Sequence, residues 1–234
     1  MVHRIVWRVA CSDAVGFWAE RLAGAGYDSA PAGKLALRFH DFEGLEHELL
    51  VADSADAPLI AYHPQIPPEL ALQGLYAVRA YTQEPGRSRA PLDTLSFAPS
   101  PTSADGYEVR GERRSGGYLY DSPSPARARQ GAGTVHHVAW ACRPEDQEAW
   151  QRLLSSVGAH PTPVINRHYF RSVYFREPSG VLFELATIGP GFTIDEPLET
   201  LGEKLSLPPP LEHLRAQIEP RLTPLRNPRD GSPR

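Results

Sequence analysis

The sequence contains few cysteines, a single methionine and no long apolar run. Its 234 residues include two cysteines, Cys11 and Cys142, which lie far apart. This usage excludes a disulfide framework and a clustered-thiolate zinc site, and it favours a reducing, cytoplasmic location. No apolar stretch of about 18 residues and no secretory signal is present, so neither a membrane span nor export is predicted.

An excess of positive charge is also missing. The net charge is -4 and the pI is near 6.1, which gives no general electrostatic reason to expect nucleic acid or an anionic membrane as partner. Hydrophobic residues make up 41% of the chain, enough for a substantial core. A globular protein that handles small molecules is therefore favoured.

Two segments, 2–50 and 135–186, repeat one pattern. They open with the strand-like runs VHRIVW and VHHVAW, and each continues into an amphipathic helix that ends at a glycine, Gly26 or Gly158. Repeats of this length indicate one supersecondary unit that occurs more than once. The shared pattern predicts a strand followed by a helix in both copies.

Each copy closes with a hairpin pattern. Two alternating strands flank Gly44 in the first copy and Gly180 in the second, so each unit reads as strand, helix and two or three further strands. A fainter third copy runs from 74 to 121, with a poor helix near 92–97.

The predicted fold is α+β, with three repeated βαβββ modules and a C-terminal arm. Segments rich in proline, glycine or charge mark the linkers. The predicted divisions are modules 1–62, 74–122 and 134–188, linkers 63–73 and 123–133, and an arm and tail over 189–234. Within the tail we expect a helix over 212–218 and fraying over 226–234.

His136, His137 and Glu184 are the first candidates for chemistry. Strand alternation places His137 on one face and His136 on the other. A lone carboxylate such as Glu184, within VLFELA, is costly to bury unless a cation or several donors meet it. Imidazole and carboxylate suit Fe(II), Mn(II) or Zn(II), and two histidines with one carboxylate form a known iron-binding triad.

Simpler interpretations of the same residues remain open. The histidines can be packed and hydrogen-bonded, and Glu184 can pair with Arg167 or Arg171. Arg167 is also suited to orient an anionic or phenolic substrate. Tyr174 is either a proton donor or acceptor or a half-buried aromatic at a strand end.

Three motifs resemble one known family. GTVHHVAW (133–140), NRHYFRSVYFREPSGVLFELAT (166–187) and PGFTIDEPLETLGEKLSLPP (190–209) look like the vicinal oxygen chelate, or glyoxalase/extradiol dioxygenase, superfamily. Within it, the chain is most similar to bacterial ring-cleaving dioxygenases that act on hydroquinones. The resemblance implies βαβββ modules in curved mixed sheets, an Fe(II) cofactor, and a small aromatic substrate and O2 as partners.

The resemblance also implies roles for individual residues. His137 and Glu184 match two of the three metal ligands of the family, which are two histidines and one glutamate. Arg167 and Tyr174 match the arginine and tyrosine on the substrate side. His136 matches a histidine that stands beside the ligand.

The chain departs from the family pattern at its start. Family members have four modules, and the remaining ligand histidine comes from the first. Here the three modules resemble the second, third and fourth, and Arg4 stands at the position equivalent to His137, where it cannot bind a metal. Glu48, equivalent to Glu184, is expected to form a salt bridge instead.

Several explanations of the missing third ligand stay open. The chain can be part of a longer protein, a separate polypeptide can supply the module, or the last modules of two chains can pair in a homodimer. The last arrangement would give two histidines and two glutamates, which favours a glyoxalase-type isomerase or lyase. A non-catalytic protein that binds small aromatics, or an inactive remnant, is a further alternative.

Overall fold

Three units with the same strand order follow one another in the computed structural model, which describes residues 1–123 and 130–224. The first unit contains β1 (Val2–Val9), α1 (Ser12–Gly24), β2 (Ser29–Pro31), β3 (Ala36–His40) and β4 (Glu46–Val51). The second contains β5 (Leu75–Tyr81), α2 (Arg89–Thr94), β6 (Ala98–Pro99), β7 (Gly106–Arg110) and β8 (Ser115–Asp121). The third contains β9 (Val138–Cys142), α3 (Gln147–Ser156), β10 (Ile165–Asn166), β11 (Arg171–Arg176) and β12 (Leu182–Thr187).

Short helical turns occupy much of the remaining chain. Turns of 3-10 helix lie at Pro68–Leu70, Pro85–Ser88, Phe192–Ile194, Leu198–Thr200, Pro209–Leu214 and Glu219–Arg221, and the short helix α4 spans Arg215–Ile218. None of the helices in the described ranges has the length and apolar character that crossing a bilayer requires.

The first two units share one sheet. Its order is β2-β3-β4-β1-β5-β8-β7-β6, and the units join where β1 runs antiparallel to β5, with Val6 opposite Ala77. In every unit the first strand is parallel to the last, as β1 is to β4, β5 to β8 and β9 to β12. This arrangement places residues from the two ends of each unit side by side.

The third unit forms its own four-stranded sheet, of order β10-β11-β12-β9. Its first strand, β9, is the counterpart of β1 and β5. Whereas β1 and β5 pair with each other, β9 pairs only with β12 among the described strands. One edge of β9 therefore ends the sheet.

A single apolar core joins the second and third units. Alternation along β12 buries Phe183 and Leu185, which pack in one cluster with Phe97 and Tyr118 of the second unit. Trp140 of β9 also packs against this cluster. A Cβ atom added at Gly116 of β8 would lie 2.9 Å from the Trp140 ring, so glycine permits this close approach.

The structure confirms the predicted α+β class and adds corrections at element ends. The strand expected to contain His136 and His137 begins at Val138, where its pairing with β12 begins. The helix expected over 92–97 spans Arg89–Thr94, and that expected over 212–218 is α-helical only from Arg215. Residues 124–129 of the predicted linker, and the segment expected to fray, lie outside the described residues.

Candidate metal centre

His137 and Glu184 meet on one face of the third sheet. Glu184 lies on β12 between Tyr174 of β11 and Ala139 of β9, and His137 immediately precedes β9. Nε2 of His137 is 2.8 Å from Oε2 of Glu184, whose side chain is only 4% exposed. The parallel pairing of β9 with β12 thus brings together an imidazole and a buried carboxylate that are distant in sequence.

The other oxygen of Glu184 accepts two hydrogen bonds from the neighbouring strand. Tyr174 donates its hydroxyl proton to Oε1 at 2.6 Å, and Ser172 donates to the same atom at 2.5 Å. Hydrogen bonds to an ionised acceptor are strong, and they offset the cost of burying this carboxylate. Ser172 was not among the predicted site residues, although its two-residue spacing from Tyr174 places both on one strand face.

His136 extends the pair towards solvent. This residue is exposed, and its Nδ1 is 2.9 Å from Nδ1 of His137, with the two rings edge to face. In this contact one Nδ1 donates and the other accepts. His136 contacts the candidate ligand without reaching Glu184.

Arg167 and Tyr174 complete the predicted group. Arg167 follows β10, and its guanidinium carbon lies 5.5 Å from the centre of the Tyr174 ring, which is a cation–π distance. The five predicted site residues therefore form one connected group: His136, His137, Arg167, Tyr174 and Glu184.

The alternative interpretation of Glu184, a salt bridge with Arg167 or Arg171, does not agree with the structure. Arg171 donates to the carbonyl oxygen of Pro144, and Arg167 lies over the Tyr174 ring. In residues 1–123 and 130–224, the basic side chain that contacts the Glu184 carboxylate is His137. Its carboxylate is balanced by one imidazole and two hydroxyl groups.

The C-terminal arm supports the turn that carries Arg167. His168 adopts a left-handed backbone conformation with φ of 70°, and its Nε2 lies 2.9 Å from Oδ1 of Asp195 in the arm. The Tyr169 and Ser206 hydroxyls are 2.7 Å apart. The hydrogen bond with His168 is the main reason that the pKa of Asp195 lies below its ordinary value. This contact between the arm and the turn was not predicted from the sequence.

The donor atoms present fit part of a metal site. Two ligand atoms that each lie about 2.1 Å from one ion, at a right angle as in octahedral coordination, are roughly 3 Å apart, which is close to the 2.8 Å between His137 and Glu184. A neutral imidazole and a carboxylate match iron, manganese or zinc. The described part of the chain contains no group of three such ligand residues, so these two residues account for two ligand positions.

The equivalent position in the first unit holds an ion pair, as predicted. Arg4 donates from Nη1 to Oε2 of Glu48 at 3.0 Å, and Arg38 donates to the same oxygen at 2.7 Å. Both guanidinium groups remain charged and cannot bind a cation. The first unit therefore provides no metal ligands at this position.

Comparison with known proteins places the chain in a family. Residues 95–185 match the model of the Glyoxalase/Bleomycin resistance protein/Dioxygenase superfamily. The chain is 36% identical over 241 residues to MhqA of Bacillus subtilis strain 168, a protein provisionally named as a ring-cleaving dioxygenase. That alignment covers 96% of this chain and 76% of MhqA.

Two further similarities agree with this match. The chlorohydroquinone/hydroquinone 1,2-dioxygenase of Sphingobium indicum is 30% identical over 164 residues, which cover 66% of this chain and 50% of that enzyme. A crystal structure of a Bacillus subtilis protein, provisionally described as a dioxygenase, matches with a TM-score of 0.82 at 31% identity. That match covers 97% of this chain and 74% of the crystallised chain.

Proposed function

Because this chain belongs to the ring-cleaving dioxygenases of the glyoxalase/bleomycin resistance protein/dioxygenase superfamily, we propose that it cleaves hydroquinone-like aromatic rings with Fe(II) and O2. The observation that carries the proposal is the buried Glu184 carboxylate, which faces His137 with one oxygen and Tyr174 with the other. A cytoplasmic location, suggested by cysteine usage, is part of the proposal.

His137 and Glu184 would hold the metal through Nε2 and Oε2. Fe(II) is the ion that suits dioxygenase chemistry, and Mn(II) or Zn(II) would use the same donor atoms. When bound, the ion would supply a site for the ring hydroxyl and for O2, which is the chemistry that the protein side chains lack.

His136 would fix the tautomer of the metal ligand His137. A neutral imidazole that binds a metal through Nε2 carries its proton on Nδ1. In His137 this Nδ1 lies 2.9 Å from Nδ1 of His136, which would accept that proton in a hydrogen bond. Such outer partners orient a metal-bound histidine and raise its basicity.

Arg167 and Tyr174 would bind and orient the substrate. The exposed Arg167 guanidinium can pair with a phenolic oxygen as it becomes negative. The Tyr174 hydroxyl, now directed at Glu184, is placed to give or take a proton at a ring hydroxyl. On the same face, the small side chains of Ala139 and Ala141 are exposed, and they leave room for a flat ring over β9.

The third ligand would come from another βαβββ unit. We assign the three units of this chain to the second, third and fourth modules of the family. The antiparallel pairing of β1 with β5 shows how the first strands of two units join, and the open edge of β9 would receive its partner in the same way. That partner belongs to a longer protein, a separate polypeptide or a second copy of this chain.

Pairing of two copies at β9 supports a second candidate function. A two-fold axis at that edge would bring two histidines and two glutamates together. Such a site favours a glyoxalase-type isomerase or lyase, since the extra carboxylate fills a position that O2 needs. A strictly monomeric solution mass would exclude this candidate. Aromatic binding that persists in EDTA without turnover would instead favour a non-catalytic binding protein.

O2 consumption tests the proposed activity directly. The purified chain is loaded with Fe(II) without oxygen and then mixed with substituted hydroquinones and O2. We expect uptake that depends on the hydroquinone and is lost in His137→Ala and Glu184→Gln, whereas the exposed His160→Ala behaves like the parent. Uptake that is unchanged in His137→Ala would overturn the proposal.

A further inference from the structure

Ser172 is a completely buried hydroxyl beside the candidate metal ligand. The second residue of β11, it is 0% exposed. It lies opposite Ala186 of β12, while Tyr174 lies opposite Glu184. Its Oγ donates to Oε1 of Glu184 at 2.5 Å. The strand pairing therefore aims a buried serine at one particular oxygen of the carboxylate.

Ser172 and Tyr174 hydrogen-bond to the same oxygen and leave the other one available. A carboxylate oxygen offers two main directions to donors, and on Oε1 the two hydroxyl groups occupy them. Oε2 instead faces Nε2 of His137. A turn of the carboxylate that offered both oxygens to one ion would break two charge-assisted hydrogen bonds in a buried site.

We infer that Ser172 is a positioning residue that lets Glu184 bind the metal through Oε2 alone. This inference rests on the proposed function. Tyr174 cannot perform this task by itself when it acts on substrate, because its hydroxyl group then exchanges partners. Ser172, closed off from solvent, holds Oε1 in place throughout. It thereby keeps the carboxylate from occupying two positions on the ion, one of which the reactants need.

Co(II) binding tests this inference, because its visible absorption reports both affinity and the number of ligand atoms. The full chain is titrated with Co(II) as the parent, Ser172→Ala and Ser172→Thr. Ser172→Ala is expected to bind about tenfold or more weakly, as is common when an outer partner is lost. Its absorption should also weaken as both Glu184 oxygens reach the ion. Ser172→Thr keeps the hydroxyl and should restore both properties.

Two further variants serve as controls for an unspecific effect of the substitution and for misfolding. Ser155→Ala removes an exposed hydroxyl on α3 that donates to Gln151, and it should leave Co(II) binding unchanged. If Ser172→Ala fails to fold, Ser172→Val has the shape of Ser172→Thr without the hydroxyl group, and it should show the same weaker binding and absorption.

The outcomes separate this inference from the proposed function. Parent-like Co(II) affinity and absorption in folded Ser172→Ala or Ser172→Val, together with loss of binding in His137→Ala, would overturn the role of Ser172 and leave the metal site standing. A parent protein that binds no Co(II), or that binds it equally well as His137→Ala, would overturn both.

Discussion

Arg4 occupies in the first unit the position that His137 occupies in the third. Each lies two residues before the residue paired with a buried glutamate, since Val6 is opposite Glu48 and Ala139 is opposite Glu184. Arg4 is 3.0 Å from Glu48, and His137 is 2.8 Å from Glu184. The same backbone geometry therefore carries an ion pair in one unit and a candidate ligand pair in the other.

Removal of the Arg4 charge is expected to destabilise the protein. Arg4 is 8% exposed and pairs with both Glu46 and Glu48, so Arg4→Met removes a cation from the buried Glu48 and from the half-buried Glu46. We expect the free energy of unfolding to fall by about 3 kcal/mol, near the lower end for a broken buried pair. The loss is limited because Arg38 still contacts Glu48.

Urea unfolding measures this effect, with Arg87→Met as the control. Arg87 forms an exposed pair with Glu84, and loss of such a pair changes stability by about 1 kcal/mol or less. Equal stability losses in the two variants would show that the buried pair contributes no more to the free energy of unfolding than the exposed pair does.

Asp121 is expected to make stability depend on acidity. Two hydrogen bonds from Arg79 are the main reason that the pKa of Asp121 falls from 3.8 to about 2. Because its folded-state pKa is depressed, Asp121 stabilises the protein above about pH 4, and this contribution is lost as the pH falls towards 2. After allowance for partial exposure, the contribution is about 1 to 2 kcal/mol at neutral pH.

Asp121→Asn should therefore be less stable than the parent at pH 7, and about half of this difference should disappear by pH 3. Burial lowers the pKa of His3, so His3 reduces the stability of the folded protein as the pH falls below about 6.5. This loss begins at a higher pH than the loss that Asp121 causes. Asp93→Asn, which removes an exposed pair with Arg89 on α2, serves as the control. A difference between parent and Asp121→Asn that stays constant from pH 7 to pH 3 would contradict the account.

Glu177 is expected to hold the second and third units together. It is 1% exposed and accepts hydrogen bonds from Ser88 at 2.7 Å, Tyr118 at 2.7 Å and Tyr120 at 3.2 Å, all in the second unit. Glu177→Ala would leave these buried hydroxyl groups without their acceptor. We expect a loss of about 2 to 4 kcal/mol in urea unfolding, against little change in the exposed Glu20→Ala. A loss below about 0.5 kcal/mol would contradict this role.

Much of the fold was predictable because short-range sequence patterns determine its strands, helices and turns. Alternating strands and the turns at Gly44 and Gly180 occur at matching places in two units. Once each unit is recognised as βαβββ, the meeting of His137 and Glu184 follows from the parallel pairing of its first and last strands.

The unpredicted features depend on contacts between segments that are distant in sequence. Glu177 stands in a turn and looks like a solvated residue, yet packing against the second unit buries it. The role of Ser172 depends on its hydrogen bond to the Glu184 carboxylate on the next strand. The beginning of β9 at Val138 is set by its pairing with Phe183, which no local pattern of the histidine segment records.

Fe(II) binding per chain is the measurement that tests the central claim most directly. The purified chain is equilibrated with Fe(II) without oxygen, and unbound metal is removed. The molecular mass of the protein in solution is then measured, so that the bound metal can be counted per assembled site. We expect stoichiometric Fe(II) that is lost in both His137→Ala and Glu184→Gln but retained in His160→Ala. Metal well below one ion per site in the parent, undiminished in His137→Ala, would contradict the claim.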